Sequence, residues 1–146
     1  MIRNTLLTVL VLIAVSHADS LHLLYGSWQV NSIRLSKTAT MDDTVASQLY
    51  IGKTAQYSKK KAAFLKDFCK TPGYRFSAAK TEDYLYGFQI TREELNIASD
   101  TLTIISVICN NEDWVAPGGI VILLSEKQIL VPWDGAFLVM TRVGRR

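Results

Sequence analysis

The sequence predicts an all-β domain: a single closed antiparallel β-barrel of seven to eight strands, with one short helix and one disulfide. Its apolar segments have the length of strands, and turn signals recur about every 8–12 residues through the second half of the chain. Hydrophobic residues make up 49% of the 146 residues, enough for one domain with a packed core. No internal repeat, linker or low-complexity segment divides the chain, so we expect one domain.

The first eighteen residues have the pattern of a secretory signal peptide. Arg3 precedes an almost wholly apolar run over Leu6–Val15, and the small residues typical of a cleavage site end at Ala18. Cleavage before Asp19 would leave residues 19–146 as the single barrel domain. The apolar run is shorter than the ~20 residues that a membrane-spanning helix needs. We therefore expect a periplasmic or secreted protein without a transmembrane anchor.

The first half of the domain alternates strand-like segments with polar turns. A first strand is predicted over Leu23–Leu35, followed by a single aspartate-capped helical turn over residues 42–48. A second strand is predicted over Leu49–Ser58, with an irregularity at its glycine. The segment Ala62–Phe68 fits either a short strand or a helical turn, and another strand begins near Tyr74 after a Pro-Gly turn.

A capping box is the clearest local signal of the chain. The Thr91 hydroxyl can accept the amide proton of Glu94, while the Glu94 carboxylate reaches back to the Thr91 amide. Ile90 and Leu95 occupy the positions of a hydrophobic staple. The pattern predicts a short helix that ends near Ala98.

The remainder of the chain predicts four strands. An Asp134-Gly135 pair gives a hairpin signal before the last of them. The predicted strands are Thr101–Cys109, Ile120–Leu124, Gln128–Pro132 and Ala136–Arg142.

Cys69 and Cys109 are the two cysteines of the chain. In an exported protein an even pair at long spacing predicts a disulfide. A redox pair or a metal site is the alternative, but the sequence has no CxxC motif, and His22 is the one histidine that follows the cleavage site.

Both ends of the domain carry residues of a known barrel type. Gly26, Ser27 and Trp28 open the first predicted strand, and Arg142 lies near the end of the last. In this respect the chain resembles the lipocalin-like barrels, in which a Gly-x-Trp motif is covered by a cation from the final strand. The resemblance implies that Gly26, Trp28 and Arg142 are structural residues in which a guanidinium packs over an indole and closes one end of the barrel.

A wider set of residues resembles a group of small secreted bacterial proteins to which no activity is attached. That resemblance spans most of the domain, so it supports the fold and carries no function. Its residues are Tyr50 to Lys53, Tyr57, Ser58, Cys69, Pro72, Tyr74, Pro117, Gly118, Trp133 to Gly135, Phe137 and Arg142.

Charge is distributed unevenly along the chain. The net charge is +3, or +2 without residues 1–18, which is too small to predict a polyanion as the general partner. Positive charge concentrates in the first half of the domain. This basic cluster can touch anionic lipid headgroups, cell-wall polymers or an acidic protein, or it is a solvated face that keeps the protein soluble. Its members are Lys53, Lys59, Lys60, Lys61, Lys66, Lys70, Arg75 and Lys80.

No motif for catalysis, metal binding or a cofactor emerges from the sequence. His22 lies near the expected new N-terminus, where chains fray, so a nucleophile–histidine site is not expected. The acidic pairs Asp42-Asp43 and Glu112-Asp113 lie in predicted turns and are solvated acids. The two glycines Gly118 and Gly119 open no helix, so they form no phosphate loop. We predict a non-enzymatic protein without metal or cofactor.

Three aromatic residues alternate in the sequence at Tyr84, Tyr86 and Phe88. If they lie on a strand, their rings share one face and line the barrel interior or form a platform for a ligand. With Trp133, beside its turn, they are the predicted ligand-binding residues. Binding of single-stranded nucleic acid to these rings is not expected of an exported protein.

Two functions follow from these observations. The first is an exported binding protein that holds a small apolar or amphipathic ligand, or an envelope component, in the mouth of the barrel. The alternative is an inhibitor or immunity-type protein that binds a secreted hydrolase through loops such as Lys59–Pro72 or Asn110–Gly119. The interior of the barrel separates the two hypotheses, because a lumen filled with side chains favours binding through the loops.

Overall fold

The computed structural model describes residues 17–144, so the predicted signal peptide lies outside the described residues except for its last two positions. Three helices and ten strands make up this part of the chain. In chain order they are α1 (His17–Leu24), β1 (Gly26–Leu35), α2 (Asp43–Tyr50), β2 (Thr54–Tyr57), β3 (Lys61–Phe64), β4 (Asp67–Lys70), β5 (Gly73–Lys80), α3 (Thr81–Tyr86), β6 (Thr101–Cys109), β7 (Glu112–Asp113), β8 (Ile120–Leu123), β9 (Gln128–Trp133) and β10 (Ala136–Gly144).

One antiparallel sheet contains all ten strands, in the order β4-β3-β2-β1-β10-β9-β8-β6-β5, with β7 paired beside β6. The fold is mostly β, as predicted, but the prediction of a closed barrel is wrong: the sheet curls into a half-barrel whose end strands, β4 and β5, do not pair. The predicted count of seven to eight strands is too low, since the ambiguous segment Ala62–Phe68 forms the β3–β4 hairpin.

The chain between the two end strands explains why the barrel stays open. β4 is only four residues long, and Thr71 then turns the backbone with a φ of 53°. Pro72 follows and has no amide to donate to a ladder. Although two residues are enough for a hairpin, the turn at Thr71 and the missing amide at Pro72 end the ladder at β4.

Covalent and side-chain links span the gap that backbone pairing leaves. The predicted disulfide is confirmed: Cys69 of β4 is bonded to Cys109 of β6, with Cα atoms 5.8 Å apart. The Tyr74 hydroxyl donates to the Ser58 carbonyl at 2.6 Å. Burial, and then the neighbouring Tyr74, raise the pKa of Tyr57 far above its ordinary value. Its hydroxyl therefore stays protonated and donates to the Gly118 carbonyl at 2.8 Å.

The two faces of the sheet bury separate cores. Side chains on the concave face form an inner core with Leu24 of α1 and with α2, and the largest of them are fully buried. On the convex face, α3 and the segment that follows it cover a smaller outer core. The inner core includes Trp28, Tyr57, Phe64, Ile105, Ile129, Leu138 and Met140, and the outer core includes Leu85, Ile90, Leu95, Leu102, Ile122, Leu130 and Phe137.

The segment over the outer core differs from its prediction. The capping box forms, with the Thr91 amide donating to Glu94 at 2.8 Å and the Glu94 amide donating to Thr91 at 3.2 Å. The hydrogen bonds that the Glu94 carboxylate accepts from the Thr91 amide and, second, from the Thr91 hydroxyl lower the pKa of Glu94. The predicted helix to Ala98 does not form, however: residues 92–96 are turns. The Ile97 amide donates to the Arg92 carbonyl, which closes the turn. The staple residues Ile90 and Leu95 are both buried.

Arg142 and Trp28 fasten α1 to the sheet. The two residues face each other across the β1–β10 ladder, and the Arg142 guanidinium carbon lies 4.2 Å from the centroid of the fully buried indole. A helix ends with carbonyls that lack partners. Here Arg142 donates to the carbonyls of Leu23 and of Tyr25, the latter at 2.7 Å, and the indole donates to that of Leu24 at 2.8 Å.

Gly26 makes room for this arrangement. Its φ is +138°, and a Cβ there would lie 2.5 Å from the Gly144 carbonyl oxygen and 2.6 Å from an Arg142 nitrogen. Only glycine adopts this backbone conformation without strain and admits the guanidinium. The Gly-x-Trp motif thus serves packing in this structure.

Substitution of Trp28 or of Arg142 should lower the stability of the protein. Trp28→Ala should lower the free energy of unfolding by ~3–5 kcal/mol, because a large buried ring is lost. Arg142→Lys should cost ~2 kcal/mol, since a single ammonium cannot serve the carbonyls that the guanidinium reaches. Chemical denaturation measures both, with Arg34→Lys as the control, because Arg34 is exposed and donates to the carbonyl of the adjacent Ile33. Equal stability of the two lysine variants would contradict the proposed clamp.

Loss of the disulfide should have a comparable effect. The bond closes a loop with a sequence separation of 40 residues, so a Cys69→Ala, Cys109→Ala double variant should lose ~4 kcal/mol of stability in the chain-entropy model. Denaturation of the wild type with and without reductant provides the matched measurement. Because the bond leaves no free thiol on Cys69 or Cys109, alkylation of the unreduced, unfolded protein should label neither cysteine. Labelling of both would contradict the disulfide.

Candidate functional site: an apolar pocket beside a rigid loop

The structure separates the predicted ligand-binding residues. Tyr84 and Tyr86 lie on α3 and Phe88 in the turn after it, so the prediction that these rings share one face of a strand is wrong. The helix places Tyr84 and Phe88 on the same side, with ring centroids 5.6 Å apart. Phe88 packs edge-on against Phe137 at 5.0 Å.

The physical reason lies in the sequence around these rings. Glu82 and Asp83 stand in the first turn of α3, where their charges favour a helix N-terminus. Tyr84 and Phe88 therefore contribute to the outer core rather than to a lumen. Tyr86 points away from it and is 85% exposed.

Trp133 lies elsewhere, at the end of β9, and packs against the inner core. Its side chain is hydrogen-bonded to Tyr50. Burial, and then the charge of Asp134, raise the pKa of Tyr50, which this hydrogen bond partly opposes. The Tyr50 ring stacks in turn on Phe64 at 6.3 Å, so Trp133 is held from both the sheet and α2.

The concave side of the half-barrel is filled by side chains. Trp28, Tyr57 and Phe64 are each no more than 1% exposed. Aliphatic residues from β6, β9 and β10 occupy the space between them. The arrangement resembles a packed core rather than the mouth of a ligand carrier.

An apolar pocket of about 250 Å³ lies outside this core, at the ends of β6, β8 and β9. Two indoles and a proline form its walls, and the segment after β7 forms its rim. Its lining consists of Ser106, Asp113, Trp114, Val115, Ala116, Gly119, Ile120, Pro132 and Trp133. Larger depressions elsewhere, of about 420, 570 and 740 Å³, are lined by a mixture of polar and apolar residues.

Hydrogen bonds hold the rim of the pocket in place. The Trp114 amide donates to the Val107 carbonyl at 2.9 Å, and the Val107 amide donates to the Gly119 carbonyl at 2.8 Å. The Gly119 amide donates to the Ala116 carbonyl at 2.9 Å. Together with the Tyr57 hydroxyl on Gly118, these bonds tie residues 114–119 to both ends of the sheet. We call this segment the 114–119 loop.

Val115 stands at the edge of this rigid loop and is 86% exposed. Ile120 is 42% exposed beside it. Burial of these side chains in a contact would add hydrophobic stabilisation, because they are exposed to water in the free protein. These exposed apolar side chains make the border of the pocket a candidate contact site.

Acidic side chains border the pocket. Asp113 pairs with Arg75 at 3.1 Å, and both side chains remain mostly exposed. Glu112 on β7 and Asp134 next to Trp133 have no resolved ion pair within residues 17–144. Asp113 is the charged residue of the pocket lining, and Glu112 and Asp134 are chain neighbours of lining residues.

Within residues 17–144 no group of three or more His, Cys, Asp or Glu side chains is placed to hold a metal ion. His22 lies exposed on α1. None of the helices in this range is long and apolar enough to cross a membrane.

Sequence reasoning located the Asn110–Gly119 loop and Trp133 but did not single out Trp114 and Val115. Their signal was present: two large apolar residues lie between an acidic pair and Pro117, in a segment that the turn pattern places at the surface. Apolar side chains in a surface turn are buried only if the chain folds back onto the core. The structure shows that the Trp114 side chain packs against the inner core, whereas the Val115 side chain stays exposed.

Comparison with protein-family models, with curated proteins and with solved structures finds no match for this chain.

The rigidity of the loop can be tested at Gly119. A Cβ at this position would overlap the Trp114 carbonyl oxygen, so Gly119→Ala should displace the loop and lower the melting temperature. Gly87→Ala is the matched control, because its Cβ meets no atom within 4 Å and its φ is helical. We expect Trp114 fluorescence to change only in the first variant. Unchanged melting and fluorescence of Gly119→Ala would contradict the close packing of the loop.

Proposed function

We propose that this chain is an exported, non-enzymatic binding protein of the inhibitor or immunity type, which holds a secreted hydrolase against the 114–119 loop and the pocket beside Trp133. The observation that carries the proposal is the exposed Val115 on a hydrogen-bonded loop that borders an apolar pocket. The signal-peptide pattern supports export, and the disulfide supports an oxidising compartment.

The size of the pocket favours a protein as the partner. Small-molecule sites usually measure about 300–1,000 Å³, whereas this pocket measures about 250 Å³. A space of this size suits one anchoring side chain of a partner, with the surrounding surface supplying the rest of an interface. Aromatic side chains such as Trp114 and Trp133 are enriched at the centre of such interfaces.

The filled concave face supports the same choice. A carrier of a small apolar ligand needs free volume among its lumen side chains, and here Trp28, Tyr57 and Phe64 occupy that position. The other predicted contacts, Tyr84 and Phe88, are engaged in the outer core. Recognition through a loop requires no lumen.

Inhibition assays test the proposal directly. The purified protein is titrated against a panel of secreted hydrolases comprising a muramidase, a peptidoglycan amidase and a protease. For the enzyme that it inhibits, Val115→Asp should weaken inhibition by about 100-fold, because an unpaired carboxylate enters a desolvated contact. Val143→Asp, at an exposed valine on β10, is the control and should inhibit like the wild type.

Two results would contradict the proposal. Equal inhibition by the two aspartate variants would move the contact away from the loop. Absence of inhibition across the panel, together with a small molecule retained in native mass spectrometry, would support a ligand carrier instead.

A further inference from the structure

Two lysines oppose each other on the β3–β4 hairpin. Lys61 and Lys70 are cross-strand partners. The Thr71 amide donates to the Lys60 carbonyl, so Lys60 and Thr71 form a hydrogen-bonded pair of the ladder. The next pair, Lys61 and Lys70, is therefore a pair without mutual hydrogen bonds, and side chains lie closest in such pairs. Like charges directly opposite each other destabilise a sheet. An anion outside the protein would relieve this repulsion.

No carboxylate of the described chain relieves it. The ion pairs within residues 17–144 all involve arginine, namely Arg75 with Asp113 and Arg92 with Glu82 and Asp100. The outward-facing side chains of β2, β3 and β4 include no acid, since Asp67 faces the other way with Cys69. They are Thr54, Gln56, Lys61, Ala63, Phe68 and Lys70. We call this surface the hairpin face.

An aromatic ring stands among these lysines. Phe68 is 58% exposed, because its cross-strand neighbour is the small Ala63. Leu65, at the hairpin tip with a φ of 55°, is 45% exposed. Lys66 follows it in the same turn. The hairpin face is thus amphipathic, with apolar side chains at its centre and tip and ammonium groups around them.

This combination distinguishes among anionic partners. A soluble polyanion would need the ammonium groups alone and would leave Phe68 and Leu65 in water. A membrane interface accepts both, because apolar side chains enter the headgroup boundary while lysines meet anionic headgroups. Lys53, before β2, and Lys59 and Lys60, after it, extend the positive charge at either end of the face.

We propose that the hairpin face docks the protein on an anionic phospholipid surface, with Phe68 and Leu65 inserted and the lysines on the headgroups. The face lies at the β4 end of the sheet order, whereas the 114–119 loop lies beside β6 and β8 towards the other end. The two surfaces share no residue, although the Tyr57 hydroxyl and the Cys69–Cys109 bond link the elements that carry them. The docking rests on the described residues and is independent of the proposed inhibition.

Vesicle flotation tests the electrostatic part. The full chain is mixed with phosphatidylcholine vesicles, or with vesicles in which about a third of the lipid is phosphatidylglycerol. Neutral vesicles report any binding by the apolar segment Leu6–Val15. A Lys61→Gln, Lys70→Gln variant should bind the anionic vesicles about 25-fold more weakly, at roughly 5-fold per lysine. A Lys80→Gln, Lys127→Gln variant has the same net charge, and its binding should change by less than about 3-fold.

Phe68→Ser tests the insertion. We expect it to weaken binding to anionic vesicles and to increase the salt sensitivity of what remains, because only the screened electrostatic attraction is left. Tyr86→Ser removes a ring on α3 that is even more exposed than Phe68, and it should leave vesicle binding unchanged. Val115→Asp should also bind vesicles like the wild type, so failure of the proposed inhibition leaves this test intact.

Three outcomes would overturn the docking proposal. One is equal loss in the two double lysine variants, and another is binding that does not depend on phosphatidylglycerol. The third is binding of soluble polyphosphate as tight as that of vesicles and unaffected by Phe68→Ser, which would identify a soluble anionic polymer as the partner.

Discussion

The contact between Arg142 and Trp28 organises one end of this molecule. The guanidinium covers the indole and bonds the carbonyls at the end of α1, while the indole bonds the carbonyl between them. A helix of eight residues has little stability of its own. Its attachment therefore depends on this clamp and on Leu24, which the clamp brings into the inner core. Because the two residues also pair β1 with β10, the same contact joins the first and last strands of the domain.

At the open side, other interactions replace the ladder that a closed barrel would have. The Cys69–Cys109 bond joins β4 to the end of β6, one residue beyond the β5–β6 register, and the hydroxyls of Tyr57 and Tyr74 bond carbonyls of neighbouring segments. Side-chain links of this kind fix distance without requiring strands to run side by side. The half-barrel can consequently end in a short β4, whose hairpin is free to twist its outward side chains towards solvent.

The sequence allowed much of the second half of the fold to be predicted, because its signals are local. The strand over Thr101–Cys109 and the Asp134-Gly135 hairpin depend on alternation and on turn residues with positive φ. Closure of the barrel depends on pairing between its end strands, which is a long-range property. The sequence around Pro72 does not by itself tell whether β4 and β5 pair or stay apart. The α3 helix was misjudged because an alternating Tyr-Leu-Tyr pattern suits a strand, whereas burial of Leu85 in the outer core favours the helix. Of the candidate site, the loop and Trp133 were predictable, but their meeting in one pocket was not.

Both proposed surfaces lie on elements that contribute little to the inner core. Val115 and Phe68 are exposed, while their neighbours Ala116 and Cys69 are buried. In each pair the buried residue contributes to the core, and its exposed neighbour in the chain is accessible to a partner. Substitution at the exposed positions leaves the clamp and the disulfide intact, so a change in binding there can be separated from a change in folding. The two surfaces share no side chain, but the Tyr57 hydroxyl on Gly118 and the Cys69–Cys109 bond link the elements that carry them, so the same contacts that bridge the open side of the half-barrel hold both surfaces in place.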